Sequence, residues 1–242
     1  VVLPAASAVE KEGTFTNTER RVQRVRKAVE PFGEAKPDWV IITELMNRLG
    51  FEAHYSHPYE IMEEIARVTP QYGGINYYRL EKEGLQWPCP SKDHPGTRFL
   101  HQGRFTRGKG LFVPVVYKAP AEEPDAEYPY LLTTGRNLYH YHTRTMTGRV
   151  EGLNEMAPES YIEINPKTAA ELGISDGKAV RVVSPRGAII TKAKVVGKVR
   201  EKVVFMPFHY AEGAANVLTN RALDEICKIP ELKVCAVRIE KI

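Results

Sequence analysis

The side chains best equipped for chemistry lie together in one stretch, Leu131 to Asn154, reading LLTTGRNLYHYHTRTMTGRVEGLN. An apolar run, Tyr128 to Leu132, gives way to Thr133-Thr134-Gly135-Arg136 and then to residues dense in hydrogen-bonding groups. Arg136, Arg144, His140, His142 and three threonines crowd between Gly135 and Gly148, and two more threonines lie just before Gly135. Buried strands need apolar runs, and solvated loops are rich in turn formers. This stretch is neither. It suits a strand end that opens into a loop gripping something polar and anionic. Glycine lets backbone approach closely, the arginine fork matches phosphate, and hydroxyls supply further bonds. An ordinary charged surface loop is the plainer alternative.

Other chemistries find little support. Cys89, Cys227 and Cys235 stand apart with no CxxC spacing, so they cannot build a four-thiolate cluster, and their odd number argues against a disulfide framework. A reducing, cytoplasmic setting follows as the expectation. Cys89 lies between prolines near Trp87 and His94, but no second ligand pair accompanies it, and the seven histidines contain no HExxH. Neither a catalytic residue nor a metal ligand is assigned to this chain. The basic residues from Arg20 to Lys27 alternate with Val22 and Val25, which predicts a half-buried strand; without interleaved aromatics they do not make a nucleic-acid face.

Around that stretch the pattern sorts into elements. Pro37 to Leu49 reads as a helix, with Asp38 in the first turn and Gly50 beyond its end; Trp39, Ile42, Leu45, Met46 and Leu49 form an apolar stripe expected in the core. A second helix is predicted from Pro58 to Val68 with Ile61, Ile65 and Val68 inward. Tyr72 to Gly110 loosens into Gly, Pro and aromatics, and Lys118 to Asp125 is Pro-rich and acidic like a linker. The second half alternates in short runs. Strands are predicted at 128–134, 161–164, 179–184, 188–196, 203–206 and 234–240, with Asn165-Pro166 opening and Gly173 closing a short helix. Asp176-Gly177 and Pro185-Arg186-Gly187 read as tight turns. A barrel or sandwich is the fold class for this half.

The 242 residues allow one large or two ordinary domains, and the boundaries expected are 1–117, a linker at 118–127, and 128–242. A net charge of +4 is compatible with an anionic ligand but too weak to argue for nucleic acid. No apolar run approaches the ~20 residues of a membrane span, and no basic-then-apolar signal segment opens the chain. Val1-Val2-Leu3-Pro4-Ala5-Ala6-Ser7 reads as a buried strand, so Val1 is expected to be an internal position of a longer polypeptide.

The words TTGRNLYHYHTRTMTGRVEGLNEMAPE, EGTFTNTERRVQ and MPFHYAEGAANVLTN resemble the last third of the catalytic subunits of formate dehydrogenases, in the molybdenum or tungsten bis-pterin oxidoreductase (dimethyl sulfoxide reductase) superfamily. The resemblance runs from Val1 to Ile242. It implies an α/β fragment of a pterin-oxidoreductase domain followed by a mainly-β double-psi β-barrel that binds one end of the cofactor. It further implies that Thr134, Gly135, Arg136, Asn137, His140, His142, Thr143, Met146, Phe208, Asn216 and Lys233 line that cofactor, a bis-molybdopterin guanine dinucleotide with Mo or W. Asn216 is apt for such a ring, since an amide offers both a donor and an acceptor. Asn17, Glu19 and Arg20 would be polar supports nearby.

By the same resemblance the whole enzyme oxidises formate to carbon dioxide and passes electrons to a 4Fe–4S cluster. The iron–sulfur cysteines, the Cys or selenocysteine on the metal and its neighbouring His and Arg belong to the N-terminal two-thirds. The implied partners are that N-terminal part, on the same or a separate chain, and iron–sulfur electron-transfer subunits; neither nucleic acid nor membrane span is implied. Another bis-pterin enzyme such as a nitrate reductase, and a cofactor-free module of a respiratory complex, are the alternatives.

Overall fold

Near the start of the chain a short turn decides the first pairing. Asn17 Oδ1 accepts the backbone N–H groups of Glu19 (3.1 Å) and Arg21 (2.9 Å), and Arg20 takes a left-handed conformation at φ 66°. This reverses the chain between β1 (Gly13–Thr16) and β2 (Arg21–Val25), which pair antiparallel with Val22 opposite Thr16; β3 (Leu85–Gln86) adds to the far side of β2. The computed structural model describes all residues, 1–242, and they form two units, Val1–Val113 and Pro114–Ile242.

In the first unit, α1 (Asp38–Arg48) starts after Pro37, and α2 (Pro58–Val68) is capped by His57, whose side chain accepts the Tyr59 N–H. Both helices lie within a residue of the predicted spans. Their burial does not follow the prediction. No residue of α1 is buried, and Leu49 is 78% exposed. Periodicity sets which side of a helix is apolar, but burial needs a surface to meet it: Trp39 and Met46 are half-buried, while Ile42, Leu45 and Leu49 meet none. On α2 the buried residue is Met62, while Ile65 and Val68 are exposed. Met62 enters a small core with Val22, Ile75, Leu80, Leu85 and Cys89, so the helix rests on the sheet through its middle and its last turn overhangs. The expected strand at 1–7 is a single parallel bridge, Ala5 to Lys36, with Val1 to Leu3 exposed, because no neighbouring strand pairs with it. A one-turn helix, α3 (Tyr77–Leu80), closes this region.

The second unit is a closed six-stranded barrel in the order β4-β8-β5-β7-β6-β9. Its strands are β4 (Tyr130–Gly135), β5 (Tyr161–Ile164), β6 (Ala179–Ser184), β7 (Gly187–Val195), β8 (Val203–Pro207) and β9 (Cys235–Lys241). Each lies within two residues of its prediction. Two pairs, β4 with β8 and β5 with β7, are parallel, as the double-psi arrangement requires. Alternate residues fill the interior: Leu132, Ile162, Ile164, Val180, Val182, Val204, Met206 and Val237 are all completely buried. A helix α5 (Pro166–Glu171) has Asn165 at its cap, accepting the Lys167 N–H, and Gly173 ends it at φ 63°. The residues 118–127, read as a linker, are held to this unit: Lys118 pairs with Glu225, and Glu122 with Arg186.

Candidate functional site

Barrel topology brings the polar stretch to one end. Because β4 and β8 run parallel with Gly135 opposite Pro207, the loops that leave them emerge side by side. Strand β9 runs antiparallel to β4 with Cys235 opposite Leu132, so the segment entering β9 arrives at the same end. Thr134 Oγ1 donates to the Leu232 carbonyl (2.6 Å) and Lys233 Nζ to the Thr134 carbonyl (2.5 Å), which ties the two together. Gly135 is required by packing: a Cβ there would lie 2.5 Å from the Phe205 ring.

The loop after β4 is built around three side chains that reach inward. His140 is buried, with Nε2 donating to the Ala157 carbonyl (2.7 Å) and Nδ1 against the Thr147 hydroxyl (3.1 Å). Asn137 Oδ1 accepts the N–H groups of Tyr139 and His140, and its amide nitrogen donates to Tyr210 Oη (3.0 Å). Arg144, left-handed at φ 64°, lays its guanidinium on Asn154 Oδ1 through Nε and Nη2 (3.2 and 2.7 Å) and over the Tyr210 ring. The stretch predicted as open loop therefore contains a helix, α4 (Glu151–Met156), which Asn154 helps anchor by donating to the Gly148 carbonyl.

Two residues that sequence reasoning passed over hold this loop to its neighbour. His209 is 1% exposed, two residues beyond β8. Its Nε2 accepts the Asn137 N–H (2.9 Å) and its Nδ1 contacts the His142 carbonyl. A backbone N–H can only donate and a carbonyl can only accept, so the proton sits on Nδ1 and the ring is neutral. Burial pushes its pKa below the ordinary histidine value; nearby His140, Arg136 and His142 add to this, and the His142 carbonyl opposes it. Tyr210, equally buried, donates to the Ala157 carbonyl (3.1 Å) that also receives His140. The words FHY and YHYH carry these residues in plain view. Nothing in their spacing says that one histidine turns inward and another outward.

The predicted site residues accordingly separate into two sets. Thr134, Gly135, Asn137 and His140 are committed to bonds or packing within the chain. Arg136, His142, Thr143, Met146, Asn216 and Lys233 are exposed, and Phe208 is half-buried with the Arg136 guanidinium 5.7 Å from its ring. Neither the Arg136 guanidinium nor the Asn216 amide makes a hydrogen bond within the chain, and Lys233 has two ammonium protons beyond the one on Thr134. Two cations, an amide, an imidazole and an aromatic form a donor set for a ligand with anionic phosphates and a ring of mixed edges. That chemistry fits a pterin dinucleotide. Asn17, Glu19 and Arg20 lie in the first unit, where Arg20 binds the carbonyls of Thr97 and Arg98 (each 3.1 Å) and Glu19 pairs with Arg21. A concavity of about 690 Å³ lies between Lys118–Ala121 and Ala222–Glu231.

Comparison with known proteins bears on what such a face holds. Residues 130–236 match the family described as Molydopterin dinucleotide binding domain, and residues 1–48 match Molybdopterin oxidoreductase. Over its whole length the chain is 54% identical to the F420-dependent formate dehydrogenase subunit alpha of Methanocaldococcus jannaschii, spanning 37% of that protein. It is 49% identical to the F420-dependent formate dehydrogenase 2 subunit alpha of Methanococcus maripaludis, spanning 36% of it. Against the probable oxidoreductase YjgC of Bacillus subtilis, identity is 43% over 99% of the chain and 25% of the relative. The chain thus spans a quarter to just over a third of the curated relatives it matches. Among solved structures it is similar to acetylene hydratase from Pelobacter acetylenicus, with a TM-score of 0.74 at 19% identity, covering 100% of this chain and 38% of that one; this likeness speaks to fold alone.

Proposed function

We propose that this chain is the cofactor-binding C-terminal portion of a formate dehydrogenase catalytic subunit of the molybdopterin oxidoreductase family, with residues 128–242 as its dinucleotide-binding domain; the two family matches and the similarity to formate dehydrogenase alpha subunits support this. The observation that carries this reading is the free donor set at one barrel end, presented by the ends of β4 and β8 and the entry to β9.

When bound, a molybdenum or tungsten bis-pterin guanine dinucleotide centre supplies the redox chemistry that takes formate to carbon dioxide, electrons leaving to an iron–sulfur cluster held outside this chain. The residues of this chain bind and orient. Arg136 is placed to fork onto a phosphate, stiffened by the Phe208 ring beneath it. Asn216 presents donor and acceptor together to a pterin or guanine edge, and Lys233 offers two ammonium protons while the third fixes its stem. His142, Thr143 and Met146, exposed on the loop after β4, complete the proposed lining. Asn137, His140, His209 and Tyr210 act through those residues by holding the loop in shape. Neither the three cysteines nor any other group here is assigned to the metal. The remaining two-thirds of the catalytic subunit and iron–sulfur subunits are the partners proposed, in the cytoplasm; no helix here is long and apolar enough to cross a membrane.

The test uses the full-length polypeptide that carries this chain. Replacing Arg136, Asn216 or Lys233 by Ala should lower pterin and metal content per polypeptide, and formate oxidation with it. F420, from two relatives' names, is the first electron acceptor to try. Full cofactor content in all three variants would remove the reading.

A further inference from the structure

We infer that Glu122 and Arg186 form a positioning clamp that sets Asn216 and Lys233 at the ligand-facing barrel end; the inference rests on the dinucleotide-binding reading above. Asn216 sits in a three-residue 3-10 turn, Ala215–Val217, that has no side-chain cap, and Lys233 lies in the irregular segment before β9. Neither position is held by a long element of its own. Both are reached by one ion pair. Arg186, in the two-residue turn between β6 and β7, sends Nη1 and Nη2 to the two Glu122 carboxylate oxygens, and Nη2 also donates to the Leu218 carbonyl (2.6 Å) at the end of the Asn216 turn. Glu122 Oε1 in turn accepts the Ala236 N–H (2.5 Å), three residues past Lys233. The two side chains are only 20% and 19% exposed.

The contact is steric as well as ionic. A Cβ on Gly187 would lie 2.9 Å from Val217 Cγ1, so the hairpin after Arg186 abuts the residue beside Asn216. The carboxylate with its three donors therefore joins the acidic Pro-rich stretch, the β6–β7 turn, the Asn216 turn and the start of β9 in a single node. A bidentate arginine pair has a preferred plane, so it fixes orientation where a lone lysine contact would only tether. An amphipathic helix or strand would not need this. Two short irregular segments that must present side chains to one ligand do.

The experiment compares Glu122→Ala, Glu122→Gln, Asn216→Ala and Lys233→Ala in the full-length polypeptide. It measures pterin dinucleotide and metal retained through gel filtration, and amide exchange in peptides spanning 215–220 and 233–237. Glu122→Ala should lower retention about tenfold, the loss expected for a charge-assisted bond, and speed exchange in those two segments while the rest of the barrel keeps its protection. Glu122→Gln keeps an acceptor for the Ala236 N–H without the charge and should fall between. Should Glu122→Ala fail to accumulate, Arg186→Lys keeps the charge, loses the fork, and should loosen 215–220 with the same drop in retention. Loosened segments with full retention, while Asn216→Ala still lowers it, would make the pair a structural brace and overturn the clamp. Unchanged retention in Asn216→Ala and Lys233→Ala alike would instead overturn the dinucleotide reading of this barrel end.

Discussion

Replacing His209 by Phe tests how the candidate loop is held. The imidazole is 1% exposed and makes two bonds to main chain, accepting the Asn137 N–H and donating to the His142 carbonyl. Phenylalanine keeps the ring and removes both. A net hydrogen bond contributes ~0.5–1.5 kcal/mol, and an Asn137 N–H left without a partner costs ~1–3 kcal/mol. The His142 carbonyl lies on an exposed residue and regains water, so the total is about 2–3 kcal/mol. At Asn137, Tyr139 and His140, whose N–H groups all depend on this turn, amide exchange should accelerate by about 30- to 160-fold. The pH dependence gives an independent check. His209 has a pKa below its unfolded value, so its contribution is fully present above pH ~6.5 and is lost as pH falls through the folded-state value. The difference between wild type and His209→Phe should therefore be largest near pH 7.5 and shrink toward pH 5. Equal protection of Asn137 in both proteins, or a difference that does not change with pH, would refute the neutral Nδ1–H bridge.

Other outcomes follow from the same geometry. Arg136→Ala should weaken cofactor retention by ~1.5–3 kcal/mol yet leave the melting temperature within about 1–2 °C, since the guanidinium makes no hydrogen bond within the chain; calorimetry and metal content separate the two effects. Gly135→Ala drives a methyl into Phe205 at 2.5 Å and should cost ~1–3 kcal/mol, with Phe205→Leu in the same chain restoring part of it in a thermal melt. Asn165→Ala removes the α5 cap and the bond from its amide to the Val199 carbonyl (2.8 Å), which should lower stability by ~1–2 kcal/mol in denaturant titration. With a thiol reagent at pH 8, exposed Cys227 should react at once. Buried Cys89 and Cys235 should wait for unfolding, the latter because burial pushes its thiol up to about 11.

What the sequence by itself determined is the set of elements governed by local chemistry. Alternation over Val180-Val182 and Ile162-Ile164 marked barrel strands because side chains on a strand point to opposite faces every second residue. Asn165-Pro166 and Gly173 bounded α5 because a cap and a left-handed glycine act within one turn. Arg136, Asn216 and Lys233 stood out as candidate ligand groups, given the words around them, since their types suit phosphate and pterin edges. Tertiary structure alone decided which polar side chains turn inward. His140, His209 and Tyr210 belong to two separate runs of similar aromatic and imidazole residues, YHYH and FHY, and only the parallel pairing of β4 with β8 sets their loops side by side so that one ring can bridge both. It also decided that acidic Glu122 anchors a node, because a carboxylate in a Pro-rich stretch looks like solvated charge until Arg186, sixty-four residues on, arrives beside it. The stripe of α1 makes the converse point. Its period specifies an apolar face, and whether that face is buried depends on a surface that no local pattern can provide.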